Sequence, residues 1–193
     1  MCLYAYMKRC EWPGADEKML KYHDEEWGNP LHDDSIHFEY IVLDTFQSGL
    51  SWALMIKKRE NFRKAFDGFD PKKISKYKES KILNLLQDEG IIRNKLKVRA
   101  TVTNAQAFLD VQEEFGSFDK YIWGFVNGKT ITNKWKKMSE LPAVTSEAEA
   151  MSKDMKKRGF KFVGPTVCYA YMQGAGLVND HTTDCFRYEE VQK

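Results

Sequence analysis

No apolar run in this chain approaches the roughly 20 residues that a membrane-spanning helix needs, so a helical membrane protein is excluded. Cysteine is scarce: Cys2, Cys10, Cys168 and Cys185 are the only four, unevenly spaced. That excludes the disulfide framework of a small secreted domain and leaves free thiols or metal ligands. An excess of one charge is lacking as well, because the net charge is +2 and the isoelectric point near 8.2. Any electrostatic grip on a nucleic acid must therefore be local. Internal repeats and low-complexity segments are absent. Residues 1–8 are short and run straight into charge, which does not read as a signal peptide, so the expected compartment is the cytoplasm.

What is present is ordinary for a globular protein: 193 residues, 42% hydrophobic and 30% charged. Such a length buries a real core without a partner, so a monomer is expected. The unit spans residues 1–193, with two closely packed lobes and a pocket between them as a permitted variant. Over residues 36–54 apolar side chains (Phe38, Ile41, Val42, Phe46) recur at helical spacing, ending in the tighter Gly49-Leu50-Ser51-Trp52. A second helix is predicted over 58–66, stopped by Gly68 and Pro71, and one or two short helices over 72–86. After Gly90 the helical pattern resumes over 94–108. Residues 118–126 suit strand or helix, and Asn127-Gly128 marks a turn. Thr145 or Ser146 caps a helix running to Arg158, with Ser146 and Glu149 as a candidate capping box. Pro165 opens another apolar helix. The fold class expected is all-α with short connections.

Residues 155–166 read as helix, glycine-bounded loop, helix. Gly159 and Gly164 let the loop turn sharply, so that backbone N–H groups at the start of the second helix face outward with its partial positive charge. Such a site accepts a phosphate without reading sequence. A helical hairpin is also a common structural connection.

The hairpin resembles the helix-hairpin-helix element of a DNA glycosylase superfamily. Its string Lys156-Lys-Arg-Gly-Phe-Lys-Phe-Val-Gly-Pro-Thr166, followed by Asn179-Asp180-His181, is similar to one branch, the 3-methyladenine DNA glycosylase I family. Further matching strings are Arg9-Cys10-Glu-Trp12, Tyr22-His23-Asp-Glu-Glu-Trp27-Gly28, Gly49-Leu-Ser-Trp52 with Lys57-Lys-Arg-Glu60, and Gly90-Ile-Ile-Arg93. The resemblance implies a DNA-repair enzyme acting on double-stranded DNA that holds an alkylated base. Gly159, Phe160, Lys161, Phe162, Gly164 and Thr166 would form its DNA-binding hairpin.

Two Cys and two His occur as separated pairs, Cys10 with His23 and His181 with Cys185. Spaced i, i+4, the second pair would share a helix face, and two thiolates with two imidazoles suit a closed tetrahedral zinc site. Buried Cys and hydrogen-bonded His are equally at home in metal-free cores. The resemblance implies one structural zinc on these four residues, tying the two ends of the chain together.

Work on a single base requires it to be flipped into a pocket and read by stacking and edge hydrogen bonds. A base methylated at N3 is cationic, so an aromatic face attracts it and a carboxylate accepts its exocyclic N–H. By resemblance, Trp52 stacks on the base, Tyr22 bonds its edge, and Trp12 lines the same pocket. The catalytic carboxylate would be Asp44, where the family usually has glutamate; its stem is one methylene shorter. Read without the resemblance, Asp44 is a solvated or capping carboxylate and the aromatics are core. The reaction implied is hydrolysis of the N-glycosidic bond, leaving an abasic site. At the start of the second hairpin helix the chain has Pro165, Thr166 and Val167 and no amine nucleophile, so strand cleavage is not expected. Asp180 lies near the place where the wider superfamily has an acid after the hairpin, and no role is assigned to it. Two alternatives stand: a non-catalytic DNA-binding module, and a hydrolase with catalytic zinc, which four protein ligands disfavour.

Overall fold

The structure, a computed structural model, describes residues 7–193. Cys2 and most of the segment read above as lacking a signal peptide lie outside those residues. Ten α-helices dominate the described residues, and none is long and apolar enough to cross a membrane. The chain begins with α1 (Glu17–Glu25), whose N-cap Asp16 accepts from the backbone N–H groups of Lys18 and Met19. Next comes α2 (Asp34–Gln47), capped by Asp33. Every residue of α2 from His37 to Phe46 is buried, which makes it the central helix rather than an amphipathic surface one.

The run expected over 36–54 ends earlier, at Gln47. Ser51 caps a new helix, α3 (Trp52–Ala65), by accepting from Leu54 N–H, so Trp52 opens a helix and the one expected at residue 58 starts there instead. The turn lets α3 fold back on α2. Then follow α4 (Pro71–Ile74), α5 (Glu79–Leu85) and α6 (Lys95–Phe115). The last is capped by Asn94 and continues past Phe108 to Gly116, since Val111 still faces the core. The segment left open between strand and helix is helical: α7 (Phe118–Trp123) and a 3-10 turn to Val126.

Two helices complete the core, α8 (Ser146–Lys157) and α9 (Pro165–Gly174), and a short α10 (Arg187–Glu190) closes the chain. Thr145, not Ser146, caps α8 by accepting from Ala148 N–H. Ser146 is already helical and bonds Glu147, so the box with Glu149 does not form. The all-helical expectation holds, with one small parallel pair beside the helices, β1 (Ile131–Thr132) with β2 (Val178–Asn179), in register Ile131 to Val178. Both are short extended segments that share backbone bonds, Ile131 N–H donating to Leu177 O and Asn133 N–H to Asn179 O. One continuous cluster of buried hydrophobic residues reaches from Cys10 to Cys185, with α2 packed against α3, α6, α7 and α9.

Candidate active site and metal centre

A pocket of about 380 Å³ opens between α1, α2, α3, α9 and the loop before α8. Trp12, Tyr22, Asp44 and Trp52, expected to share a site, all line it. Tyr22 and Trp52 lie 5.4 Å apart between ring centroids, and Trp12 meets Tyr22 edge-on at 6.1 Å. Sequence reasoning missed Trp27, Gln47, Met138, Leu141, Ala170 and Gln173 as wall residues. Trp27 stood in a matched string and extends the indole wall, 5.0 Å from Trp12. Met138 and Leu141 come from a distant loop with no local signal.

Asp44 is the pocket's only carboxyl, 6% exposed, and among the described residues nothing donates a hydrogen bond to it. Burial alone pushes its pKa well above the ordinary carboxylate value. Burial also raises Tyr22, with further contributions from nearby Tyr40 and Asp44, which keeps its hydroxyl a donor. The end of α2 that carries Asp44 and Gln47 is pinned by Lys97. Its buried ammonium donates to the carbonyls of Phe46 at 2.9 Å and Ser48 at 2.5 Å, a cation at a helix C-terminus. Gln47 in turn donates to Leu50 O at 2.8 Å, tightening the turn into Trp52.

Asp180 does not reach the pocket. It is 1% exposed, and its two oxygens accept from four donors: Asn133 Nδ2 and Trp135 Nε1, each at 2.7 Å, Tyr169 OH at 2.5 Å and Gln173 Nε2 at 2.8 Å. Since a carboxylate only accepts, this bond fixes the Gln173 amide with its nitrogen toward Asp180.

Behind the indole wall the four expected metal ligands converge. Cys10, His23, His181 and Cys185 are all buried, with one ligand atom from each within 4.8 Å of the others, so the group can hold a metal ion. His181 and Cys185 do not share a helix face as their spacing suggested. They sit in the turn before α10, closed by Cys185 N–H donating to Thr182 O. Outer partners fix each imidazole. His23 Nδ1 bonds Asp24 at 2.8 Å, which Arg9 holds from behind, leaving Nε2 toward Cys185. His181 Nε2 bonds Trp27 O at 3.0 Å, leaving Nδ1 toward both sulfurs. Between the thiols, hydrogen bonding to Cys185 and burial hold Cys10 up, while the same bond and the two imidazoles pull Cys185 down. Gly28 leaves room for this packing, since a Cβ there would stand 2.9 Å from His181 Nε2.

The glycine-bounded loop joins α8 to α9 as expected. Phe160 N–H bonds Met155 O and Gly159 N–H bonds Lys156 O, a Schellman ending that requires the φ of +98° at Gly159. Asn104 clamps the Lys161 backbone from both sides, at 2.7 Å and 3.1 Å, and Ser152 bonds Val163 O. Lys161, Phe162 and Thr166 are exposed, and Gly159 and Gly164 are partly so. Phe160 is buried at 1%, so its side chain anchors the loop and only its backbone is left to meet a ligand.

A family model for methyladenine glycosylase matches residues 12–188. Over 182 residues the chain is 45% identical to DNA-3-methyladenine glycosylase 1 of Escherichia coli (strain K12), covering 94% of this chain and 97% of the relative. A crystal structure of 3-methyladenine DNA glycosylase I matches with a TM-score of 0.91 at 44% identity, covering 93% of this chain and 98% of the other. A variant of 3-methyladenine DNA glycosylase I, solved in complex with 3-methyladenine, matches at a TM-score of 0.90 and 34% identity, covering 93% and 97%.

Proposed function

The chain belongs to the methyladenine glycosylase family, and from that premise we propose that it removes 3-methyladenine from alkylated DNA by hydrolysing the bond between base and sugar. The observation that carries the reading is the carboxyl of Asp44, without a hydrogen-bond donor among the described residues, facing a pocket walled by indoles. An N3-methylated adenine is cationic while still attached to the sugar. It gains from the indole faces and brings the positive charge that lets Asp44 ionise and accept its N–H bonds. Trp52 is the stacking partner, Tyr22 the edge donor, and Trp12 the neighbouring wall. Positive charge already makes the base a good leaving group, so positioning and charge stabilisation suffice for attack by water at the sugar carbon.

The hairpin is the helix-hairpin-helix phosphate grip on the duplex, through Gly159, Lys161, Phe162, Gly164, Thr166 and the Phe160 backbone. Pro165, Thr166 and Val167 supply no amine at the start of α9, so the product is an intact abasic site. Cys10, His23, His181 and Cys185 hold one zinc ion. With bonds of about 2.3 Å to sulfur and about 2.0–2.1 Å to nitrogen, a tetrahedral zinc brings S and N to about 3.6 Å. The three S···N separations of 3.5 Å support that fit. Four protein ligands leave no open position, so the ion's role is structural.

A pocket of this size counts against a non-catalytic DNA-binding module. The test is release of free 3-methyladenine from methylated duplex DNA, with Trp52→Ala beside the wild type. Release by the wild type and its loss in the variant, at unchanged zinc content, is the expected result. Wild-type protein that binds the duplex and releases no base overturns the reading.

A further inference from the structure

The chain is nearly neutral overall, yet residues 120–139 carry Lys120, Lys129, Lys134, Lys136 and Lys137 and not one acid. Three of these lysines crowd into four positions around Trp135, and all three are exposed and outside any ion pair among the described residues. A lysine run is ordinarily just a solvated face, but this one occupies a particular place. The next residue, Met138, lines the pocket, as does Leu141, so the loop is one lip of it. The adjoining wall is α9, through Ala170 and Gln173, and the N-terminus of α9 is the hairpin.

Asp180 joins the two. One of its oxygens holds Asn133 and Trp135 of the loop, and the other holds Tyr169 and Gln173 of α9. The Trp135 carbonyl also accepts from Thr183 N–H at 2.8 Å, and Lys136 N–H donates to Glu140 at 2.8 Å. A loop with its backbone and its indole tied down in this way presents its lysines from a fixed base. From Pro165 to Gln173, α9 rises about 12 Å. That is the axial length of about three to four nucleotides of one strand.

We propose that the loop 133–138 is a second phosphate-binding surface, which holds the backbone of the strand whose base enters the pocket while the hairpin grips the duplex alongside. Asp180 is the positioning residue that keeps loop and hairpin helix in register. The proposal rests on the glycosylase reading for its choice of DNA as the ligand.

The test uses the full chain and a labelled duplex carrying a stable abasic-site analogue, with affinity measured from about 50 to about 200 mM salt. Each phosphate contact adds about 0.9 to the slope of log affinity against log salt, so the triple variant Lys134→Ser, Lys136→Ser, Lys137→Ser loses about 2.7 of slope. Across that salt range the wild-type affinity falls about 40-fold more than the variant's. Binding of free 3-methyladenine, zinc content and melting temperature stay as in the wild type. A control triple at Lys72 and Lys73 of α4 and Lys76 just beyond it, none of which lines the pocket, makes the same change in net charge and keeps the wild-type slope. An unchanged slope in the loop variant, or an equal loss in both triples, overturns the proposal. Failure of the glycosylase reading looks different: no base is released by the wild type, whatever the slopes.

Discussion

Asp44→Asn removes the pocket's ionisable carboxyl and almost no volume from its wall. In the complex proposed above the carboxylate would accept N–H bonds from the base; asparagine keeps one acceptor and would turn a donor toward a base edge that also donates. A hydrogen bond to a charged group contributes about 1.5–3 kcal/mol. The variant should therefore bind free 3-methyladenine about 10- to 150-fold more weakly, read from quenching of the pocket indoles. Excision from methylated duplex should fall at least as far. The pH dependence has a definite sign. Because burial holds the folded-state pKa of Asp44 above its ordinary value, the ionised, binding form is populated only as pH rises through that raised value. The wild-type advantage over Asp44→Asn grows with pH over that window. Stability runs the other way: above about pH 4 an aspartate in the unfolded chain ionises while buried Asp44 stays protonated, so the wild type loses stability as pH rises. Asp44→Asn should melt above the wild type at neutral pH, with the gap closing toward pH 4. A variant that binds the free base like the wild type, or that melts below it at neutral pH, refutes the placement of an unpartnered carboxyl at the base.

Asp24→Asn weakens the hydrogen bond that orients His23 and should lower zinc affinity about 10- to 100-fold, measured by competition with a chromophoric chelator. An unchanged affinity removes Asp24 from the support of the metal. Gly159→Ala forces a Cβ onto a φ of +98° at a cost of about 1–2 kcal/mol. It should lower the melting temperature by about 2–8 °C and weaken duplex binding while binding of the free base holds. Equal loss of both kinds of binding would mean that the hairpin supports the pocket rather than the duplex.

The sequence carried its local features well and its tertiary ones poorly. The buried periodicity of α2, the turn at Gly159 and the start of α9 at Pro165 are short-range, and they appear where the residues suggested. The boundary between α2 and α3 was misjudged because apolar spacing runs on through Leu50 and Trp52. The Ser51 cap, a single side-chain bond, decides the break. The metal quartet illustrates the limit more sharply. Its members are as expected, but the reason from spacing fails, since His181 and Cys185 meet in a turn. Their convergence on Cys10 and His23 is set by packing across more than 150 residues of chain. Gln173, Met138 and Leu141 gave no signal for the same reason. Phe160, part of the matched hairpin string, is a core anchor because the Schellman ending pairs it with Met155.

The Cys/His quartet and the pocket are joined through the chain itself, so an ion held by the quartet would bear on the pocket. Trp12 follows Cys10 by two residues, and Tyr22 directly precedes His23, so half of the aromatic wall is carried on segments that the metal ligands fasten. Trp27 completes the link: its ring stands 4.6 Å from that of His181, its carbonyl accepts from the same imidazole, and its indole faces the pocket. The other wall, Asp44, Gln47 and Trp52, hangs on α2 and α3, which Lys97 and the core hold and which meet the metal side through Glu26, an acceptor for Tyr40 and Arg59. Removal of the zinc proposed above is therefore expected to loosen the first wall more than the second. The aromatic contacts across the pocket are then expected to weaken before the core melts, so that a bound base would lose stacking while Asp44 is still in place.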